Sequence, residues 1–433
     1  MANVFAVSNG NWSNGAVWNT GTVPTAADDV FSNNFTVNVD VSFTVLSLRS
    51  TAASPIVAGG SFLFNTAGVT GTVTSASPLV PGATNMVQIT ATTGTVTLSL
   101  GGNVSARNVS NDVLILHSGN CNFNVTGTNF NGTQVAGGSG TTCISKTSAG
   151  TITITGNING GNNPSQGANQ SLVSTNGNTV LIGNVVGGVG LGGNHRAINQ
   201  SAGTLTVTGN VTGGQGASSN QGILFSGTSL TVTGTVLGGI DSNAINTSAP
   251  INNINGNVTA GGVSGAVSTA ANIINVTGTV TASATSQAIT MTNANGQVYL
   301  NGNMVNNNGK MAIFAPIVWL DKNNTTSAQF FTSGGLNRTL YSEDTFPNMP
   351  AEADTRFNTV YGPGNSLTGT CVMPVAANSR NGVVYDNGTT GTALFTTSLF
   401  LTELSSSSVP VAVRMQNLCT PQILGELMEA FKK

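Results

Sequence analysis

Charge is what this chain has least of. Asp, Glu, Lys and Arg together make up 6% of its 433 residues, against about a quarter in an ordinary globular domain. Between Val41 and Gly309 the whole set is Arg49, Arg107, Asp112, Lys146, Arg196 and Asp241. With a net charge of −2 and no basic patch, the chain lacks the electrostatic footprint of a nucleic-acid binder. No run of 18 apolar residues is present, so no segment reads as a membrane span. Cysteine is scarce too: Cys121, Cys143, Cys371 and Cys419 stand at wide, irregular spacings without a metal-ligand pattern, and read as reduced, buried small side chains. No cofactor motif is present. The opening Met-Ala-Asn-Val-Phe-Ala-Val-Ser-Asn-Gly has no basic region followed by a long apolar run, so it does not read as a secretory signal, and folding in a cytoplasm is expected. Asn-X-Thr triplets such as Asn124-Val-Thr are then a by-product of composition.

Glycine, by contrast, reaches 56 residues, and its placement is periodic. Short alternating strands end in Gly-Asn or Gly-Thr at Gly102, Gly127, Gly156, Gly183, Gly209, Gly234, Gly256, Gly278 and Gly302. The step from one of these glycines to the next stays close to a single length, in the range that marks a stacked-repeat architecture. Within each repeat, as in TITITGNINGG from Thr151 or TLTVTGNVTGG from Thr204, threonine alternates with Ile, Leu or Val. That is the pattern of a strand with one dry face and one wet face. Ile152, Ile154, Leu205, Val207, Leu230 and Val232 are expected to point inward. The glycine turns the corner, because a residue without Cβ takes positive φ at low cost. A coil of about 25 residues predicts a right-handed parallel β-helix. The strict alternation excludes disorder, which low charge and few aromatics alone would leave open.

Asparagine follows the corner glycine at Asn103, Asn157, Asn184, Asn210, Asn257 and Asn303, with Thr128, Thr235 and Thr279 in the equivalent place. Stacked at ~4.8 Å per coil, such amides are expected to hydrogen-bond along the axis as a structural ladder. A ligand site would not repeat so evenly.

Five regions are expected: an N-terminal cap over 1–45, the β-helix over 46–312, a transition or end cap over 313–348, a tandem repeat module over 349–403, and a terminal segment over 404–433. Trp12 and Trp18 are the candidate capping residues, since an open solenoid end exposes core and strand edges. The alternative is that these tryptophans, with Asp28 and Asp29, form a sugar or calcium site. The terminal segment joins the stretch Ser405-Ser-Ser-Ser408, a short flexible joint, to an amphipathic helix. Thr420 is its N-cap and Pro421 its first residue. Ile423, Leu424, Leu427, Met428 and Phe431 form one apolar stripe. A lone helix this short is marginal in water, so the stripe is expected to bury itself, preferably against a partner.

The tandem module is a direct repeat. Met349, Pro350, Arg356, Val360 and Tyr361 recur at one common offset as Met373, Pro374, Arg380, Val384 and Tyr385. The ending Thr368-Gly-Thr370 recurs at a slightly shorter offset as Thr390-Gly-Thr392. Paired units of the form Pro…Arg-X-Gly-Val-X-Tyr-Gly…Leu-Thr-Gly-Thr resemble C-terminal modules of tailed-bacteriophage virion proteins. The first unit has Tyr361-Gly362 and Leu367-Thr-Gly-Thr370; the second keeps Arg380-Asn-Gly382-Val383 but has Tyr385-Asp386 and a shorter loop. The opening Asn-Trp-Ser…Trp…Gly-Thr-Val-Pro…Asp-Asp is similar to the start of β-helical phage and bacterial surface proteins. The resemblance implies a virion component, a fibre, spike or capsid-decorating appendage. It also implies other virion proteins as partners and contact with a host surface glycan or protein. Such appendages are commonly threefold, and a low-charge shaft is best solvated when its sides pack together, so a homotrimer is expected.

Two other functions compete. A polysaccharide depolymerase usually needs two carboxylates about 5 to 9.5 Å apart. Asp112 and Asp241, the only acids in the coil, lie five coils apart, which is roughly 24 Å along the axis. His117 and His195 are separated by about three coils and read as ordinary polar residues, so no catalytic residue is expected. An ice- or surface-binding solenoid is the third reading, from the ranks of outward threonine; uneven coil lengths weigh against it.

Overall fold

The computed structural model describes residues 3–320, apart from 134–139, 163–168, 191–193, 217–218, 306 and 308–310, and beyond them the strands Thr339–Ser342, Val360–Tyr361, Leu367–Thr368, Val384–Tyr385 and Thr389–Thr390. The chain divides into two units, Met1–Pro347 and Asn348–Lys433.

The first unit is the expected all-β solenoid, with parallel strands stacked through about 11 turns. One sheet of 13 parallel strands runs its length, from Gly10–Asn11 to Ile313–Phe314. Its register partners Val87, Ile115, Ile144, Leu172, Ile198, Ile223, Ile245, Val267, Ile289 and Ile313 lie one coil apart. A second ladder carries the alternating strands that sequence periodicity identifies. Thr204–Thr208 pairs in parallel with Ser229–Thr233, setting Leu205 beside Leu230 and Val207 beside Val232. After the glycine corner a short strand follows, Val211–Thr212 in one coil and Val236–Leu237 in the next. Each coil thus has three sides.

Alternation decides the core. Ile152, Ile154, Leu205, Val207, Leu230 and Val232 are all fully buried, whereas the threonines between them are partly or fully exposed. Burial of each such side chain is worth about 1.5–3 kcal/mol.

The solenoid extends beyond the limits that sequence composition suggests. Asn3–Phe5, Asp29–Phe31, Ser47–Arg49 and Leu79–Val80 form one parallel sheet, so residues 3–45 belong to the first coils and are not a separate cap. Their strands are only two or three residues long, too short to show a period. At the other end Ile317–Leu320 pairs in parallel with Gln297–Asn301 and with Thr339–Ser342, so the region from 313 also carries ladder strands. Among the described residues there is no α-helix, only the 3-10 turn Gly15–Val17.

In the second unit each half of the tandem repeat holds an antiparallel hairpin. Val360–Tyr361 pairs with Leu367–Thr368, and Val384–Tyr385 pairs with Thr389–Thr390. The terminal helix expected over 420–433 lies outside the described residues, and with it Ile423, Leu424, Leu427, Met428 and Phe431.

Candidate functional site

The corner glycines set the geometry on which every repeating side chain depends. Gly156, Gly183, Gly209, Gly234, Gly278 and Gly302 have φ between 142° and 155°, a region closed to residues with a Cβ. Packing adds a second constraint: a Cβ at Gly209 would run into the carbonyl oxygen of Gly183 one coil below, and one at Gly234 into that of Gly209. Gly102 and Gly256 meet the same obstruction, from the Ala76 and Gly234 carbonyls, without a left-handed φ.

Beside these glycines the asparagine ladder forms, but its bonding changes along the axis. In the early coils it runs amide to amide, with Asn129 Nδ2 donating to Asn103 Oδ1 at 2.7 Å and Asn157 Nδ2 to Asn129 Oδ1 at 3.1 Å. From there the side-chain oxygen accepts a backbone N–H of the next coil. Asn184 N donates to Asn157 Oδ1 at 3.0 Å, Asn210 N to Asn184 Oδ1 at 2.9 Å, Thr235 N to Asn210 Oδ1 at 2.9 Å, and Thr279 N to Asn257 Oδ1 at 2.9 Å. These bonds satisfy N–H groups that the tight corner withholds from the strand ladder. Thr128 is not the ladder residue of its coil. A register irregularity between Thr126 and Asn129 brings Asn129 into line instead. Asn303 sits at the last corner, where its carbonyl accepts from Val280 N at 2.8 Å.

Trp12 and Trp18 are buried in the first coil and not displayed on a surface. Their rings meet edge to face at 5.0 Å, Trp12 stacks on Phe43 at 4.1 Å, and Trp18 Nε1 donates to the Trp12 carbonyl at 3.0 Å. A sugar face cannot reach either ring. The nearby acids are engaged within the fold: Asp28 Oδ2 accepts from Thr25 N and Oγ1 at 2.7 and 2.8 Å, and Asp29 pairs with Arg49 at 3.1 Å. Among the described residues no group of three His, Cys, Asp or Glu side chains is placed to hold a metal ion.

Two inward polar columns, which the sequence periodicity does not reveal, bracket the 13-stranded sheet. Just before each register position stand Asp112, Thr141, Asn169, His195, Asn220 and Ser242, all buried. Arg107 clamps Asp112 with two bonds, at 3.0 and 3.1 Å; Thr141 Oγ1 donates to Asn169 Oδ1 at 2.7 Å, and Asn220 Nδ2 to the carbonyls of Gly190 and Gln215 at 2.9 and 2.6 Å. At the other end of the strand stand His117, Lys146, Ser174 and Gln200. His117 Nε2 lies 3.1 Å from the Cys121 carbonyl, and Ser148 Oγ lies 3.3 Å from Nε2. Burial, with the Lys146 charge beside it, pushes the imidazole down to about 4, and burial lowers the Lys146 ammonium to about 8. Cys121 and Cys143 are buried, as expected, and burial raises both thiols. The clue available in sequence is a polar residue recurring shortly before an Ile or Leu, hidden because its identity changes from coil to coil.

The first of these columns adjoins a loop that absorbs the unequal coil lengths. From Leu172 the register runs through Ile198, Ile223, Ile245, Val267 and Ile289, in steps that shorten twice and then stay equal. Each coil closes this loop with a backbone bond: Gly188 N to His195 O, Gly214 N to Asn220 O, Gly239 N to Ser242 O, Gly261 N to Ser264 O and Ser283 N to Ser286 O. The loop span falls from coil to coil by the same amounts as the register step, so the rest of the coil keeps one length throughout. A frame of constant length therefore displays a variable loop along one edge. Val189, Ile240 and Val263 are exposed there, at 42%, 53% and 64%.

Asp241, in a later coil, accepts from Gly216 N at 2.8 Å through Oδ2. Asp112 and Asp241 sit on coils five register steps apart, and each is tied to its own neighbours. Comparison with protein-family models, with curated proteins and with solved structures returns no match.

Proposed function

We propose that the chain is a non-enzymatic structural protein of a tailed-phage virion, a fibre, spike or capsid-decorating appendage that attaches to other virion proteins and meets the host surface. The observation that carries this reading is the agreement between the two phage-like sequence units and the two hairpins. Val360–Tyr361 and Val384–Tyr385 open the hairpins at the offset of the Met-Pro…Arg units, and Leu367–Thr368 and Thr389–Thr390 close them at the shorter offset of the Thr-Gly-Thr endings. The solenoid supports a scaffold role. Its acids among the described residues are engaged within the fold: Asp28 and Asp40 accept from Thr25 and Ser13, Asp29 and Asp112 are in ion pairs, and Asp241 holds a backbone N–H, while Asp112 and Asp241 lie too far apart to act as the pair that glycoside hydrolysis requires.

The appendage is a homotrimer in this reading, with the apolar stripe of 423–431 as an assembly or docking element. Light scattering on the full chain tests it. The expected mass is three times 43.5 kDa, and deletion of 420–433 is expected to lower it or to abolish incorporation into particles. A monomer whose incorporation survives the deletion would overturn the assembly role.

A further inference from the structure

The turn after the strand Asn169–Ser174 is Thr175-Asn-Gly-Asn178, and Asn176 is exposed. The backbone N–H of Gly177 points at the side chain of the residue before it, donating to Asn176 Oδ1 at 2.8 Å. That places the nitrogen beside the amide carbon it would attack to close a succinimide ring. The main-chain carbonyl oxygen of Asn176 belongs to the same peptide group as this nitrogen. It accepts from Lys146 Nζ, one coil back, and from Ser174 Oγ at 3.3 Å. A cation and a hydroxyl on that oxygen stabilise the negative charge that spreads onto it when the peptide nitrogen loses its proton, as donors stabilise an oxyanion. Proximity of the reacting atoms supplies the remaining advantage.

We propose that Asn176-Gly177 is a self-modification site, in which Lys146 and Ser174 promote conversion of Asn176 through a succinimide to an aspartyl or isoaspartyl residue. The Gly177 nitrogen gives its proton to hydroxide and forms a bond to Asn176 Cγ. The Cγ–Nδ2 bond breaks, and the –NH2 group takes a proton from water, which regenerates the hydroxide, and leaves as ammonia. Water then opens the ring, so that one water is consumed and one ammonia released. Because Lys146 and Ser174 polarise the main-chain carbonyl, water attacks there preferentially, and the isoaspartyl product dominates.

The same residues are fixed by packing. Gly177 has φ 66°, and a Cβ would strike Lys146 Nζ and the carbonyls of Ala149 and Gly150. Lys146 is fully buried, and Ser148 O accepts from it at 2.7 Å. The ion pairs of the described residues are Arg49–Asp29 and Arg107–Asp112, so a carboxylate formed at position 176 would be the first near this ammonium. Its titratable neighbours are His117 one coil back and Cys121 beyond it, and Ser174 follows one coil on.

Other Asn-Gly pairs are held differently. Asn14 Oδ1 accepts from Ala16 N, Asn131 and Asn159 are joined side chain to side chain, and Gly296 N donates to the Asn293 carbonyl. Peptide mapping of the folded full chain, incubated at mildly alkaline pH, measures the gain of one mass unit at each pair. Position 176 is expected to convert fastest, mainly to isoaspartyl, and to lose that lead in the chain unfolded by denaturant. Lys146→Gln keeps a donor of the kind that Gln200 supplies one register position beyond Ser174. It is expected to slow conversion by about tenfold or more, the order of effect for a lost oxyanion donor, and Ser174→Ala to slow it less. The Lys146 ammonium titrates at about 8, so the rate should level off above that pH in the native chain and keep climbing in Lys146→Gln. Conversion at 176 no faster than at Asn295-Gly296, or unchanged in Lys146→Gln, would overturn the proposal.

Discussion

The coils before Leu172 and those after it solve the same problem with different materials. The earlier coils fill their interior with Trp12, Trp18, Phe43, Phe62, Phe64, Phe123 and Phe130, and bury His117, Lys146 and Asp112 among them. The later coils use mainly Ile, Val, Leu and Ala; among their described residues Phe225 is the one fully buried Phe, Tyr or Trp, and His195 is buried as well. At their corners a backbone N–H donates to an asparagine side-chain oxygen, where the earlier bonds run from amide to amide. Trp12, Trp18 and Phe43 cluster in the first coils, where large rings bury much surface per residue; Phe62, Phe64, Phe123 and Phe130 stand on strands with a coil on both sides. Once stacking is regular, each coil needs only small aliphatics and a repeated corner. Stability in such an array is close to a sum of coil and interface terms, so the two regions respond separately to damage.

The largest expected effect is at the end. Trp12→Ala removes the ring that contacts Trp18, Phe43 and Phe62 and is expected to cost about 3–5 kcal/mol. Hydrogen exchange should show the loss confined to the first coils; loss spread evenly to Ile313 would break the two-region picture.

Acid should separate the regions next. His117 is held neutral in the fold, with its value lowered from 6.5 to about 4. The unfolded chain therefore binds this proton first, and stability present above pH 6.5 is lost as pH falls toward 4, by an amount on the order of 3 kcal/mol. In the later coils the positions in register with His117, namely Gln200, Phe225, Thr247 and Thr269, do not titrate, and the buried His195 stands two register steps before Ile245. Exchange at pH 5 is thus expected to rise around Ile115 and Ile144 before it rises around Ile245, and His117→Gln is expected to abolish the difference.

Within the regular coils, Gly209→Ala meets both an unfavourable φ and the Gly183 carbonyl. The strain alone is worth about 1–3 kcal/mol, and a denaturant series should show it; Gly21→Ala, whose Cβ would meet no neighbouring atom, should cost less. The smallest effect is expected from Asn210→Ala, which leaves Thr235 N without its acceptor, at about 0.5–1.5 kcal/mol.

Much of this is legible in the chain itself. Alternation of threonine with aliphatics identifies the strand faces of the 151–301 coils, and Gly-Asn identifies the corners, because one residue type meets one backbone demand in every coil. The ladder is foreseeable, but not its acceptor role, since an amide oxygen serves a neighbouring side chain or a neighbouring N–H with the same sequence. The first coils read as a cap because strands of two or three residues carry no period. The Asp112–Ser242 column stays hidden because Asp, Thr, Asn, His and Ser share a place in space and no common residue type. The second unit is legible as a repeat through Val360, Tyr361, Val384 and Tyr385, the residues that open its hairpins.

The proposed role as a virion scaffold is tested most directly on particles. Phage particles purified from a lysate containing this chain should carry it in stoichiometric amount by quantitative mass spectrometry, with antibody against residues 349–403 decorating a fixed site by electron microscopy. Particles free of the chain, with all of it left soluble in the lysate, would contradict the account.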